Sequence, residues 1–263
     1  MHYTDVGYPA TVSSFRLDRF EVTVGRFRHF VNAVANGWRP VAGAGKHTHL
    51  SGGGVNGGAE PGWDPAWNAE IAGSKTDWDT KLTCDPTFST WTPSAAGNEK
   101  LPMNCLSWYD AHAFCIWDGG FLPTEAEWNY AAADGSDQQQ YPWGTGNIDG
   151  TYAAYNCLSD GSMAGDCTTA DILEVGSKSP QGDGKWNQAD LAGGVWEWNL
   201  DFYADPYPMP CDDCAELQPA TERVLRGGAW GTSAWGLLAA NRNHTQPTYR
   251  DYYIGVRCAR AYP

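Results

Sequence analysis

The chain has 263 residues, of which 42% are hydrophobic and 18% are charged, which is typical of a globular protein and not of a disordered one. Its formal net charge of −14 argues against binding nucleic acid or an anionic membrane through bulk electrostatics, and it is compatible with calcium binding. No apolar run reaches the roughly 18 residues that a membrane span needs.

Three amphipathic helices are predicted, and each begins at a residue that can cap its first turn. The first follows Thr23, and its apolar side chains recur at helical spacing, at Val24, Phe27, Phe30, Val31 and Val34. The second begins near Ser107, with Asp110 three residues on. The third begins at Thr124, where Glu127 completes a capping box.

Between these helices lie long polar, glycine-rich stretches with little periodicity, at 37–100 and 134–190. Short apolar runs at 223–228 and 252–260 predict strands. The 31 glycines and 16 prolines favour a loop-rich fold with little long helix. Because no internal repeat and no linker is visible, we expect a single domain over residues 1–263.

The eight cysteines are even in number and lack the paired CxxC pattern of a structural zinc site. We therefore expect disulfides, and with them an oxidising compartment. The first residues, MHYTDVGYPATVSSF, have neither the basic start nor the apolar stretch of a signal peptide, so the chain is either cytosolic or trimmed. The disulfides favour an extracytoplasmic protein that is secreted, periplasmic or at the cell surface.

Six motifs follow one another along the chain: FRLDRFEVTVGRFRHFV, LPMNCLSWYDAHAFCIWDGGFLPTEAEWNYAA, YPWG, DLAGGVWEWNLDFY, RVLRGGAW and IGVRCAR. Their order resembles the formylglycine-generating enzyme (sulfatase-modifying factor) family, from about residue 14 to residue 261. The resemblance implies an α+β fold of the C-type-lectin-like kind that these enzymes adopt, which is loop-rich with little regular secondary structure.

The resemblance also implies a disulfide between Cys115 and Cys258, which would join the second helix to the last strand. The other six cysteines pair most economically as Cys84–Cys105, Cys157–Cys167 and Cys211–Cys214, a connectivity that the sequence leaves open.

A calcium site is implied in the segment DLAGGVWE, with the ligands Asp190, Leu191, Gly193, Val195 and Glu197. Two carboxylates flanking a glycine-rich backbone suit calcium, which prefers about six to eight oxygen ligands. The alternative is that both carboxylates only hydrogen-bond the loop. A second family site would begin at Asn156 and Cys157, but LSDGSMAGDC replaces the rest of it and leaves Asp160 and Asp166 as candidate donors.

Members of that family oxidise a substrate cysteine with molecular oxygen, using two cysteines that hold copper and a serine just upstream. In this chain the serine position is Ala229, and the cysteine positions are Thr232 and either Leu237 or Ala234. Because residues 215–257 contain no cysteine, the soft thiolate ligands of copper are absent. We therefore expect no formylglycine formation by that mechanism.

His47 and His49 form the only histidine cluster of the sequence. Alternate residues of a strand share a face, so the pair could hold a transition metal such as zinc, iron or copper with at least one further ligand. The other histidines considered as ligands are His29, His112 and His244. The alternative is that the pair makes local hydrogen bonds.

The segment that carries copper chemistry in the family is here rich in amide, hydroxyl and aromatic side chains, which are typical of recognition loops. We expect a ligand-binding surface made by Trp230, Thr232, Ser233, Trp235, Asn241, Asn243, His244, Tyr249 and Tyr252. The alternative is that these aromatic side chains fill the core beneath the final loop, and we expect this for Trp230 and about half of the tyrosines.

Three functions remain open. The first is a diverged, extracytoplasmic family member that binds a peptide or glycan in the former active-site cleft. In this function the chain also resembles, more loosely, the lectin-like variable binding proteins that retroelements diversify. The second is a metal-dependent oxidoreductase that uses His47 and His49. The third is a scaffold within a cell-envelope assembly.

Overall fold

A computed structural model describes residues 8–50, 59–207 and 209–263. Its α-helices are α1 (Val24–Ala35), α2 (Lys75–Lys81), α3 (Trp108–Trp117) and α4 (Glu125–Ala132). Its strands are β1 (Ala10–Thr11), β2 (Phe15–Leu17), β3 (Trp196–Phe202), β4 (Cys211–Asp212), β5 (Arg223–Arg226), β6 (Asn243–Thr245), β7 (Ile254–Gly255) and β8 (Ala259–Ala261). Short 3₁₀ turns lie at Pro65–Ala69, Gly135–Asp137, Thr169–Asp171 and Ala234–Leu237. The protein is therefore α+β and loop-rich, as the sequence predicts.

The three predicted helices begin at their predicted caps. The Thr23 hydroxyl accepts a hydrogen bond from the backbone N–H three residues on, at 3.3 Å. Ser107 with Asp110, and Thr124 with Glu127, form reciprocal capping boxes. These contacts satisfy N–H groups that the first turn of a helix leaves without an internal partner.

Helix α2 lies inside the stretch for which the sequence predicts no regular structure. It has seven residues, is capped by Ser74, and buries only Trp78. A helix that buries one side chain per two turns has no apolar periodicity to detect, and this is why the sequence pattern misses it.

The central sheet has the strand order β6-β5-β3-β7. Strand β3 pairs antiparallel with β5 and parallel with β7. Strand β5 ends before Gly227 and Gly228, whose φ angles are 98° and 78°, so the strand predicted at 223–228 is only four residues long. The strand predicted at 252–260 is instead two strands, because the chain leaves the central sheet after β7 and pairs through β8 with β2.

The largest hydrophobic cluster lies between helices α1 to α3 and the central sheet. The rings of Phe27, Phe30 and Phe114 pack with centroids 5.1 to 5.7 Å apart, and Trp78 of α2 packs edge-on against the first two. This aromatic packing holds the three helices α1, α2 and α3 together on one side of the central sheet.

All eight cysteines are paired, in the four disulfides Cys84–Cys105, Cys115–Cys258, Cys157–Cys167 and Cys211–Cys214. These are the predicted pairs, and their number indicates an oxidising environment. The disulfide between Cys115 and Cys258 joins α3 to the segment before β8. In the described part of the chain, no helix has the length and apolar character that crossing a bilayer requires.

Candidate functional site

A buried cluster of charged residues surrounds the segment in which calcium ligands are expected. Glu197 lies on β3, and its carboxylate accepts hydrogen bonds from Arg257 Nε at 2.8 and 2.7 Å and from Trp128 Nε1 at 2.7 Å. Both charged side chains are essentially inaccessible, at 1% exposure for Glu197 and 0% for Arg257. These partners of the Glu197 carboxylate thus lie on α4 and in the segment before β8, and not in the loop that the alternative interpretation names.

Glu21 belongs to the same cluster, and sequence reasoning missed it. It lies just before α1, is buried, and accepts a hydrogen bond on Oε1 from Val195 N at 2.8 Å, across 174 residues of chain. A Cβ atom at position 194 would come within 2.3 Å of that oxygen, so Gly194 is the residue that fits. The available signal was an acidic residue between Phe20 and Val22, immediately before a helix cap.

Asp190 completes the cluster and accepts a hydrogen bond from Gly176 N at 2.5 Å. Burial is the main cause that raises the pKa of Glu21 well above its ordinary value, and the neighbouring charges of Asp190 and Glu197 raise it further. Burial likewise raises the pKa of Asp190. Three carboxylates face the single guanidinium of Arg257, so two negative charges are in excess when all are ionised.

A cavity of about 10 Å³ lies beside this cluster, lined by Glu21, Asp190 and Gly194 among others. That volume is about one water-sized sphere. Within the ranges that the structure describes, no three His, Cys, Asp or Glu side chains are arranged to hold one ion together. A cation at this place would therefore take much of its coordination from backbone carbonyls, as expected for a glycine-rich segment. The surplus of buried negative charge and the small cavity fit such an ion.

The region of the second expected calcium site is organised by hydrogen bonds to carboxylates. Asn156 and Cys157 have positive φ angles of 52° and 53°, and the loop is closed by the Cys157–Cys167 disulfide. Asp171, which sequence reasoning missed, accepts hydrogen bonds from Ser159 N at 2.8 Å and Thr168 N at 2.9 Å. The carboxylate of Asp160 accepts hydrogen bonds from Ser162 N at 2.8 Å and from the Thr168 hydroxyl at 2.7 Å. Internal N–H and O–H donors thus occupy these oxygens.

The histidines at 47 and 49 converge on one carboxylate, that of Glu127. His47 Nε2 lies 3.2 Å from Glu127 Oε2, and His49 Nε2 lies 2.8 Å from Glu127 Oε1. The other ring nitrogen of His47 lies 3.1 Å from Glu60 Oε1. Burial lowers the pKa of His47, but the charge of Glu127 and the hydrogen bonds to both carboxylates outweigh it and raise the pKa to about 9.

An imidazole must be neutral, with a free nitrogen lone pair, to bind a metal. His47 carries its positive charge at neutral pH and has a carboxylate at each nitrogen, so its geometry favours the hydrogen-bonded alternative. The structure does not bring the other candidates to it as a ligand set. His112 is buried with no hydrogen-bond partner among the described residues, His244 pairs with Glu222 at 2.7 Å, and His29 is exposed on α1.

The expected ligand-binding residues divide into buried and exposed groups. Trp230 is 1% exposed and packs against Phe88, Tyr252 and Tyr253, so it is a core side chain, as expected for this residue, and it leaves the ligand-binding set. The flat indole fills the space beneath the final loop, where burying an aromatic ring stabilises the fold. The half-buried members of the set are Thr232, Asn241, His244 and Tyr252.

Four members of the set are exposed. Trp235 and Tyr249 have 61% and 48% of their surface accessible, and Ser233 and Asn243 are also exposed. We call residues 231–252 the recognition segment. Leu237 and Ala234, the two alternatives predicted for the family's second catalytic cysteine, pack into a hydrophobic cluster with Tyr141. Both predicted positions therefore carry apolar side chains that pack into the fold.

Known proteins match this arrangement of sequence and fold. A family model described as a sulfatase-modifying factor enzyme 1-like domain matches residues 8–262. The formylglycine-generating enzyme of Streptomyces coelicolor is 33% identical over 178 residues, which is 62% of this chain and 54% of that relative. The inactive C-alpha-formylglycine-generating enzyme 2 of Bos taurus is 33% identical over 181 residues, which is 64% of this chain and 53% of that relative. The match spans about half the length of each of these two relatives.

Solved structures agree in fold. PvdO from Pseudomonas aeruginosa superposes with a TM-score of 0.64 and 22% identity, covering 96% of this chain and 82% of that one. Treponema denticola variable protein 1 has a TM-score of 0.52 and 24% identity, covering 72% of this chain and 81% of that one. With the family model matching nearly every described residue, the chain belongs to the formylglycine-generating enzyme (sulfatase-modifying factor) family, as a diverged member without the active-site cysteine pair.

Proposed function

We propose that this protein is a non-oxidising, extracytoplasmic member of its family that binds a peptide or glycan ligand through the recognition segment. One observation carries the proposal. Every cysteine is consumed in a disulfide, and residues 215–257 contain none, so no thiolate is available to hold copper at the former catalytic centre. The scaffold is retained, while the groups that perform the oxidation are gone.

The chemistry of the recognition segment supports a binding role. Trp235 and Tyr249 present large, rigid rings with few rotatable bonds, which gives contact area at low entropic cost. Ser233 and Asn243 add adaptable hydrogen-bonding groups beside them. The relative named as an inactive enzyme in Bos taurus is consistent with loss of catalysis within the family. Secretion, a periplasmic location or display at the cell surface would each supply the oxidising environment that the disulfides indicate.

A calcium ion is part of the same proposal, as a structural ion and not as a reactant. The carboxylate of Asp190, the carbonyls of Leu191, Gly193 and Val195, and the carboxylate of Glu197 would hold it, with Glu21 close by. Its charge would offset the surplus of buried carboxylates, and so lower the pKa of Glu21 towards its ordinary value. The ion would keep the loop before β3 in one conformation.

The test of the binding role is a screen on peptide and glycan arrays with the disulfide-intact protein. Trp235→Ala and Tyr249→Ala should each weaken binding of the selected ligand about tenfold or more, since a central aromatic side chain carries about 2 kcal/mol or more. Tyr262→Ala is the matched control, because Tyr262 is 65% exposed outside the recognition segment and should leave binding unchanged. Equal losses in all three variants would contradict the assignment of the surface.

The same preparation tests the alternative oxidoreductase. Oxygen-dependent turnover of a cysteine-containing peptide, or stoichiometric copper, iron or zinc that is lost in the double variant His47→Ala with His49→Ala, would overturn the binding proposal. For calcium, a chelator should lower the melting temperature, because an ion bound only by the native state stabilises it. Asp190→Asn should reduce this sensitivity, and an unchanged melting temperature with chelator would contradict the ion.

A further inference from the structure

A large cavity lies against helix α4 and meets the recognition segment only at Ala240. Its volume is about 470 Å³, within the range of about 300 to 1,000 Å³ that small-molecule sites occupy. One wall is the face of α4 with Asn129 and Tyr130, and the others come from residues 8–12, residues 138–140 and the Cys211–Cys214 disulfide. None of the nine residues expected to bind ligand on the recognition segment lines it.

The charged groups at the floor of this cavity are already compensated. Glu125 accepts hydrogen bonds from Arg226 at 3.0 Å and from Arg242 at 2.6 and 2.7 Å. Asp201 accepts hydrogen bonds from two backbone N–H groups, of Glu125 at 2.7 Å and of Glu216 at 2.8 Å. Burial, together with the charge of Glu125, raises the pKa of Asp201 to about 7. Neither carboxylate therefore offers a cationic ligand a free ion-pair partner, and neither guanidinium group lines the cavity.

The uncharged polar groups, by contrast, are available. The side chains of Gln139 and Gln140 line the cavity, are half-buried, and make no hydrogen bond to any described residue. Asn129 uses Oδ1 to accept from Arg226 at 2.5 Å, which leaves its Nδ2 donor. Gln138 donates to Gly135 O at 2.8 Å, which leaves its amide oxygen. The cavity thus offers several amide donors and acceptors close together.

Aromatic rings supply the remaining surface. Tyr8 and Tyr207 contact each other with centroids 5.3 Å apart at the rim. Tyr130 is stacked on Trp186 at 5.3 Å with only 15° between the planes, so its ring is held flat from behind. Such rings cover the apolar C–H faces of a ring-shaped ligand, while the amides bind its hydroxyl groups.

We propose that this cavity is a second binding site, and that it takes a neutral saccharide the size of a mono- or disaccharide. A sugar combines what the cavity offers: many hydroxyl groups for the carboxamides of residues 129 and 138–140, apolar faces for the tyrosines, and no charge. A peptide backbone has fewer hydroxyl-like donors, and it usually carries charged termini or side chains that the compensated floor would not bind. The proposal is independent of ligand binding by the recognition segment.

Saturation-transfer NMR and calorimetry with maltose, cellobiose, lactose and diacetylchitobiose test the proposal on the full chain. At least one of these sugars should bind. Tyr8→Ala and Gln139→Ala should each weaken it about tenfold, because each removes one contact worth roughly 1 kcal/mol or more without breaking a hydrogen bond of the fold. The cationic sugar chitobiose should bind more weakly than its neutral diacetyl form, because Glu125 is already paired and burial raises the pKa of Asp201.

Tyr262→Ala and Gln218→Ala are the matched controls, since both side chains are exposed outside the cavity. Trp235→Ala should also leave sugar binding unchanged, which separates this site from the recognition segment. The proposal is overturned if none of the four sugars binds, if the controls lose as much affinity as the cavity variants, or if a peptide library yields the ligand whose binding Gln139→Ala abolishes.

Discussion

Two regions of the same fold differ in how their side chains are used: residues 190–202, which lead into and form β3, and the recognition segment. Around β3, charged side chains are buried and bonded to partners far away in sequence, such as Glu197 with Arg257 at 0% exposure. In the recognition segment, Trp235 and Tyr249 are exposed, and the former cysteine position at Leu237 is apolar. Interior charge pairs tolerate little change because each partner is left unpaired when the other is lost. The exposed rings bury little surface, so substitutions there should cost the fold less.

The largest effect should come from the covalent link that supports the interior. Replacing Cys115 and Cys258 with alanine opens a link between positions 143 residues apart, and the chain-entropy model assigns such a link about 5 kcal/mol of stability. The control replaces Cys211 and Cys214, which are three positions apart and should cost only about 2 kcal/mol by the same model. Urea unfolding of both double variants measures the difference, and equal losses would contradict the ranking.

The next effect tests the charge pair itself. Arg257→Met leaves Glu197 bonded only to Trp128 among its charged or polar side-chain partners, beside two further carboxylates. We expect a loss of about 3 to 5 kcal/mol in the free energy of unfolding, the usual cost of an uncompensated buried charge. Arg16→Met, at an exposed arginine, should change stability by no more than about 0.5 kcal/mol. A loss in Arg257→Met as small as in the control would mean that the cluster contributes nothing to the fold.

Sequence alone predicts the structural features that are determined by interactions between residues close together in the chain. The capped helices at Thr23, Ser107 and Thr124 follow from residues three apart, and the motif order identifies the fold. Glu21 and Arg257 escaped attention because their partners lie 174 and 60 residues away, and only the folded chain brings those pairs together. The cavity beside α4 escaped for the same reason, since separate segments of the chain form its walls.

Residue type alone also misleads where burial decides the role. Trp230 has the chemistry of a binding residue, yet it is a core side chain. His47 and His49 have the spacing of a metal pair, and the fold places Glu127 beside both rings and Glu60 beside His47. In both cases the sequence shows the residue types, but it does not show which side chains the fold brings into contact with them.

A pH dependence should separate the ionic interior from the surface. The pKa of His47 is raised from 6.5 to about 9 in the folded state. A raised pKa gives stability that is fully present below the unfolded value and is lost as the pH rises through the folded one. The stability of the protein should therefore fall between about pH 6.5 and pH 9, and His47→Gln should reduce that fall by on the order of 1 to 3 kcal/mol.

The control for this measurement is His29→Gln, at an exposed histidine of α1 that should leave the pH profile unchanged. A profile of His47→Gln that still falls as steeply as that of the wild type would contradict the ion pair with Glu127. Buried carboxylates with raised pKa, including Glu21, contribute in the same direction, so the informative quantity is the difference between the two profiles.

The smallest effect on stability should come from the recognition segment. Trp235 is 61% exposed, so Trp235→Ala removes little buried surface and should change the free energy of unfolding by no more than about 0.5 kcal/mol. The same substitution is expected to weaken ligand binding about tenfold. Chemical unfolding measured beside ligand titration therefore tests whether the two regions are independent. If Trp235→Ala destabilised the fold by as much as Arg257→Met, the ring would be a structural element, and the separation between a constrained interior and a free surface would not hold.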